Sequence, residues 1–252
     1  MSLSDRYVDE GYRRSDIFPR AVKWLLISNI ALFVVYFLAV RAQLGGMFHY
    51  FGLIPRNVIE VWGLYQLATY MFLHDPLGFT HVLFNMLTLW MFGADLERQW
   101  GTKRFLQYYF ICGIGAGLCA VAGNILFGEM NSRTIGASGA VYGLLLAFGV
   151  MYPDRTVLFS FLFPIKAKYF VMIIGGIAFL STLGSSGSGV SHVAHLGGMI
   201  FGYFYLKSRY LRKVDLIGTL RQQYKDWKVD RARRKFQVYL RKQDHRRPPW
   251  VN

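Results

Sequence analysis

Along the chain, apolar runs of nearly membrane length alternate with short polar or basic breaks. A helix needs about 20 residues to cross roughly 30 Å of hydrocarbon, and six stretches approach that length. The first, Ala21 to Val40, follows Arg13, Arg14 and Arg20; it is too long for a signal-peptide core and lacks a small-residue cleavage site behind it, so it reads as an uncleaved anchor. The second runs from Thr80 to Gly93 and continues as helix to Glu97. The third is Phe105 to Phe127, and the fourth, Ala137 to Tyr152, is stopped by Pro153 and Asp154. Thr156 to Pro164 is an apolar strip too short to span. The fifth stretch is Tyr169 to Leu183 and the sixth Ser191 to Leu206. The pattern predicts an all-α polytopic membrane protein, a six-transmembrane-helix bundle with a long outer loop, Gln43 to Phe79, between spans 1 and 2. Trp62, Tyr65, Tyr70, Phe72 and Phe79 suit that loop to the interface of the outer leaflet better than to water.

Basic residues orient the bundle. Arg98, Lys103, Arg104, Arg155, Lys166, Lys168 and the basic tail all fall on the side that also receives the N-terminus, which makes that side and both termini cytoplasmic. Three parts follow: a cytoplasmic segment at 1–20, a multi-pass membrane core at 21–209, and a basic cytoplasmic tail at 210–252. After Leu206 the chain carries 15 of its 29 Lys and Arg residues against four acidic ones. Leu211, Leu216, Leu220, Tyr224 and Trp227, interleaved with cations, form a pattern that rests on anionic lipid or stands as a solvated helix. Composition agrees with the membrane: 54% of residues are hydrophobic and 17% charged, against about 25% charged in ordinary soluble domains. The net charge of +15 does not point to nucleic acid, because no zinc-knuckle or stacking-aromatic pattern accompanies it. Cys112 and Cys119 are separated by seven residues of helix, about 10 Å, beyond the roughly 7 Å a disulfide allows.

Polar side chains inside a span are costly unless they are paired or line a wet cavity, so each is a functional candidate. His81 and Asn85 share one face of the second span. Gly136-Ala137-Ser138-Gly139 opens the fourth, with Tyr142 one turn below Ser138. The sixth holds His192 and His195, followed by Gly198 and Gly202. Counting back from the cytoplasmic boundaries at Asp154, Glu97 and Arg209 places Ser138, His81 and His195 at about 24, 24 and 21 Å, one shared depth a few ångströms below the outer surface. A serine activated by a nearby histidine is the chemistry this set supports. Gly139 and Gly143, facing Gly198 and Gly202, would let the fourth and sixth helices close on each other. The helix N-terminus at Ser138, with His81 and Asn85, would supply oxyanion donors. No carboxylate lies at this depth, so a Ser138–His195 dyad is expected rather than a triad. That chemistry needs no cofactor and no metal.

Taken singly, each residue has a plainer explanation. Ser138 alone would be a small packing residue, His195 a hydrogen-bonded core histidine, and His192 a competitor for its role. His74 fits the outer loop or the start of the second span, bonded to backbone carbonyls. The Gly113–Gly117 run lies inside a span with no strand before it, which favours helix packing over a nucleotide loop.

Together, the four segments His81–Asn85 (H-V-L-F-N), Gly93–Glu97 (G-A-D-L-E), Gly136–Gly139 (G-A-S-G) and Ala194–Gly198 (A-H-L-G-G), in order on the second, fourth and sixth spans, resemble the rhomboid family of intramembrane serine proteases over about Tyr65 to Gly202. The resemblance implies Ser138 as nucleophile and His195 as general base. It also implies an oxyanion hole of His81, Asn85 and the Ser138 N–H, with Tyr142 packed on the His195 ring and Gly136, Gly139 and Gly198 in support. The implied activity is that of a serine endopeptidase that cuts transmembrane protein substrates near their outer-facing end, after small residues. Tyr65-Gln66 stands where many members carry Trp-Arg. The rival readings are a non-catalytic rhomboid-like binder of membrane clients and a transporter in which His74, His81, His192 and His195 relay protons or hold a metal. The absence of a transit-like extension favours a bacterial inner membrane.

Overall fold

Long apolar runs have to satisfy their backbone internally, and helices do so within one segment; among the described residues six helices of 14 residues or more result. They are α1 (Arg20–Arg41), α2 (Phe79–Trp100), α3 (Thr102–Phe127), α4 (Ser138–Met151), α5 (Ala167–Gly184) and α6 (Gly189–Lys213). The structure is a computed structural model that describes residues 17–60, 62–159, 163–184 and 189–213, with 224, 227–229 and 231. Arg13, Arg14 and most of the basic tail lie outside the described residues. By length and composition α1 and α3 are each apolar enough to cross a membrane, while α4 and the Ala167–Thr182 part of α5 are shorter apolar helices.

Helix boundaries follow local chemistry. Gly101, at φ 78°, separates α2 from α3, and Gly128, at the same φ in the left-handed region, ends α3. The apolar strip after α4 departs from the all-α expectation: Thr156–Phe159 (β1) and Phe163–Lys166 (β2) form an antiparallel hairpin. Thr156, Val157 and Ile165 are β-branched and Phe159 and Phe163 aromatic, residue types that favour strands, and the strip is too short for a helix that could bury itself.

The interior is built around α3, which packs on α4 and α2. Its small residues admit bulky neighbours: Gly113 faces Met71, Gly115 faces Phe201 and Gly117 faces Tyr70. Outward faces are apolar instead of polar. Trp24, Ile30 and Leu38 on α1, and Met172, Phe179 and Leu180 on α5, are exposed, the inverse of a water-soluble bundle and the expected face toward lipid. Between α1 and α2 the chain forms four short helical segments, Gly45–Phe51, Pro55–Ile59, Gln66–Thr69 and Tyr70–Phe72.

The chain separates into one compact unit up to Leu206 and a second from Lys207. In the second, the rings of Tyr224 and Trp227 stack at 6.0 Å, with Lys228 and Arg231 over their faces.

Candidate active site

Ser138 is the first residue of α4. Before it Gly136 adopts φ 119°, where a side chain is strained, and a Cβ there would crowd the His81 ring. Gly136 is held by its N–H, which donates to the Tyr70 carbonyl at 2.9 Å. The first helical turn opens with the Val141 N–H donating to the Ala137 carbonyl, so the N–H groups of Ser138, Gly139 and Ala140 precede the helical ladder, at its positive end.

α6 brings His195 to this turn. Its Nε2 lies 2.8 Å from Ser138 Oγ, and its ring stacks on Tyr142 at 4.1 Å with 4° between the planes. The approach depends on glycine. A Cβ at Gly198 would run into the Gly139 carbonyl, and one at Gly143 would meet Cys112 and the Gly198 carbonyl. Gly202 works differently from the expectation: it makes room for the Tyr108 hydroxyl and Cys112 of α3 rather than for α4. The buried Nδ1 of His195 has no hydrogen-bond partner. The His192 ring lies beside that of His195, centroids 5.9 Å apart and steeply inclined.

On α2, His81, Asn85 and Thr88 line a cleft of about 390 Å³ together with Ser138 and Tyr142 of α4 and Phe170 and Ile174 of α5. The Asn85 amide donates one hydrogen to the His81 carbonyl at 2.8 Å; its second N–H is the one available to a ligand in the cleft. His74 sits in the loop before α2, 0% exposed, with its ring 5.2 Å from that of His81. Neither ring nitrogen has a partner of ordinary hydrogen-bond geometry, although backbone at Phe72 lies near. Among the described residues no three His, Cys, Asp or Glu side chains converge as a metal-ligand set.

Several positioning residues escaped the sequence reading. Gln66 is fully buried; its Oε1 accepts the Ile54 N–H at 3.0 Å, and its Nε2 donates to the Tyr50 carbonyl at 2.9 Å. Tyr65 donates its hydroxyl to the same carbonyl. The Tyr65-Gln66 pair therefore staples the segment between α1 and α2. Leu53 and Thr134 exchange two backbone hydrogen bonds at 2.9 Å, tying this loop to the segment that leads into Ser138. Arg133 donates to the Tyr36 hydroxyl on α1 at 2.9 Å, with its stem against Gly52. Tyr70 donates its hydroxyl to the Gly113 carbonyl at 2.6 Å. Such partners lie tens of residues apart, and no spacing rule reveals them.

A mostly helical bundle that holds a serine at a helix start against a stacked histidine defines a class, and the comparison of sequences agrees: the Rhomboid domain matches residues 61–210. The chain belongs to the rhomboid family, a family of integral membrane proteins. It is 32% identical to "Rhomboid protease GluP" of Bacillus subtilis over 168 residues, 67% of this chain and 30% of that one. It is 34% identical to "Putative rhomboid protease YdcA" of the same organism over 142 residues, 55% of this chain and 64% of the relative. To "Rhomboid protease AarA" of Providencia stuartii it is 27% identical over 197 residues, 71% and 68% of the two chains. The chain thus spans less than two thirds of the length of the first two relatives.

Proposed function

We propose that the chain is an intramembrane serine endopeptidase in which Ser138 and His195 act as a dyad. The 2.8 Å contact between Ser138 Oγ and His195 Nε2 carries this reading, since a hydroxyl needs a base within hydrogen-bond reach to become a nucleophile. His195 Nε2 takes the Oγ proton as Oγ attacks the scissile carbonyl, and returns it to the leaving amine. Water, deprotonated by the same histidine, then releases the acyl group. The oxyanion forms beside the Ser138 N–H, the second N–H of Asn85 and the His81 ring. Tyr142 holds the imidazole plane in place of a carboxylate. The unpartnered Nδ1 supports the dyad over a triad.

Six spans, cytoplasmic termini and a bacterial inner membrane complete the proposal, supported by the six helices and the positions of the basic residues. With 14 residues, α4 is about 21 Å long, roughly 9 Å short of the hydrocarbon thickness. Its Ser138 end is therefore recessed, and water reaches it through the cleft between α2 and α5. Substrates are transmembrane proteins cut near their outer-facing end, and the resemblance to rhomboid proteases implies small residues before the cut.

The test is cleavage of a model transmembrane peptide by the solubilised protein. Ser138→Ala and His195→Ala should each abolish cleavage and labelling by a serine-directed phosphonate without unfolding the protein, and the two losses should not add. Asn85→Ala should lower kcat by about 10²-fold with little change in KM. Undiminished cleavage in both dyad variants would refute the proposal; a folded wild-type protein that neither cuts nor reacts would make it a non-catalytic binder of membrane clients.

A further inference from the structure

The β1–β2 hairpin belongs to no part of the catalytic arrangement. Its pairs are Thr156 with Lys166, Val157 with Ile165, Leu158 with Pro164, and Phe159 with Phe163. Paired residues share a face and successive residues switch faces, so Leu158 lies on one face and Phe163 on the other. Leu158 is 55% and Phe163 62% exposed. A hairpin with one face on a core and one in water alternates apolar and polar residues. This one has exposed apolar side chains on both faces, while Val157 packs into the cluster of Phe148, Ala167 and Val171.

The base of the hairpin has the opposite character. It is closed by the Ala167 N–H to the Arg155 carbonyl and the Lys168 N–H to the Pro153 carbonyl. Lys166 and Lys168 both bind the single carboxylate of Asp154, which leaves a net positive charge there. The two hydrogen-bonded ammonium groups, Lys168 foremost, hold the Asp154 carboxyl below its usual range.

An apolar end beside a cationic base is the charge and polarity order of a leaflet, with phosphates outside and acyl chains beneath. Depth is limited by the backbone. A two-stranded hairpin has open edges, and unpaired edge N–H and C=O groups are not tolerated in the hydrocarbon core. They are tolerated at the headgroup boundary, and Pro164 removes one donor from an edge.

We infer that the β1–β2 hairpin is a membrane anchor that seats Leu158 and Phe163 at the acyl boundary of the cytoplasmic leaflet while Lys166 and Lys168 bind anionic phospholipid headgroups. The inference rests on the reading of α4 and α5 as membrane spans. Its consequence is mechanical: the base of α5, the helix that carries Phe170 and Ile174 of the cleft, is moored to the lipid surface as well as to α4.

The experiment places single nitroxide labels by Leu158→Cys, Phe163→Cys, Met172→Cys and Lys103→Cys in the full chain carrying Cys112→Ala and Cys119→Ala. The protein is reconstituted in phosphatidylethanolamine–phosphatidylglycerol vesicles, and collisions with oxygen and with a water-soluble nickel chelate are compared. Labels at 158 and 163 should favour oxygen and lose nickel accessibility relative to 103. Adding Lys166→Gln and Lys168→Gln should restore part of that accessibility. Nickel collisions at 158 and 163 equal to those at 103 would overturn the anchor and make the hairpin a water-facing surface for a protein partner. Depth that does not respond to the lysine substitutions would overturn the anionic-lipid assignment. Met172, exposed on α5, separates the two levels: nickel access there as well would mean that the span reading itself had failed. No arm depends on proteolysis.

Discussion

Glu97 should be among the most stability-determining side chains in the molecule. It is 3% exposed, and its carboxylate crosses from the C-terminal end of α2 to the N-terminus of α1. Oε1 accepts the Ala21 N–H at 2.8 Å and the Thr102 hydroxyl at 2.7 Å, and Oε2 accepts the Val22 N–H at 2.8 Å. The first turn of α1 has no cap of its own, because Pro19 precedes it and provides no side-chain acceptor. Glu97 thus serves as its cap from 75 residues away, with a negative charge at the positive end of the helix dipole. Hydrogen bonds to a charged group contribute about 1.5–3 kcal/mol each. Glu97→Gln keeps one acceptor and sets an NH₂ against a backbone N–H, so it loses one such bond, the charge, and the satisfaction of a buried donor. The expected cost is about 2–4 kcal/mol. At roughly 2–4 °C per kcal/mol for a chain of this size, Tm in detergent should fall by about 5–15 °C. Thr102→Val removes one neutral donor and should cost about 1 kcal/mol. Thermal unfolding followed by circular dichroism gives both values. A Glu97→Gln protein that melts with the wild type, or no lower than Thr102→Val, would refute the assignment of Glu97 as the cap of α1.

Gly198→Ala should displace α6 from α4 and lower cleavage by about 10²-fold with the helical content retained, since a shift of about 1 Å at a catalytic pair has that effect; Gly176→Ala, with open space around it, is the control that should leave activity unchanged. Tyr142→Phe should keep kcat because the ring stack survives, whereas Tyr142→Leu should lower it by up to about tenfold, given about 0.5–1.5 kcal/mol for a stacked pair; equal kcat in the two variants would remove Tyr142 from imidazole positioning. Arg133→Ala and Tyr36→Phe should each destabilise the fold, and their double-mutant cycle should give a coupling near 1 kcal/mol. Strict additivity in melting would mean that the Arg133–Tyr36 contact does not hold the segment between α3 and α4 to α1.

Helix number, approximate limits and the candidacy of Ser138, His195, His81, Asn85 and Tyr142 as polar groups at one depth were legible in the sequence, for one physical reason. Apolar length is a one-dimensional property, and a polar residue within an apolar run stands out because hydrocarbon penalises it wherever the helix packs. Equal depth could be counted along each helix at a fixed rise per residue, so a meeting of Ser138 with His195 could be expected before any packing was known. Azimuth could not be counted. Which of His192 and His195 faces Ser138, and whether Gly202 opposes α4 or α3, depend on how α6 is rotated and on which neighbour fills its grooves; the structure puts His195 on Ser138 and Gly202 on Tyr108. The strip at Thr156–Pro164 was visible as too short to span, but its hairpin required the closure between Pro153 and Lys168. Contacts that join distant segments were invisible for the same reason. Glu97 on the α1 backbone, Gln66 on Ile54 and Tyr50, Leu53 on Thr134 and Tyr70 on Gly113 and Gly136 are set by the three-dimensional arrangement of the helices, which no local pattern encodes.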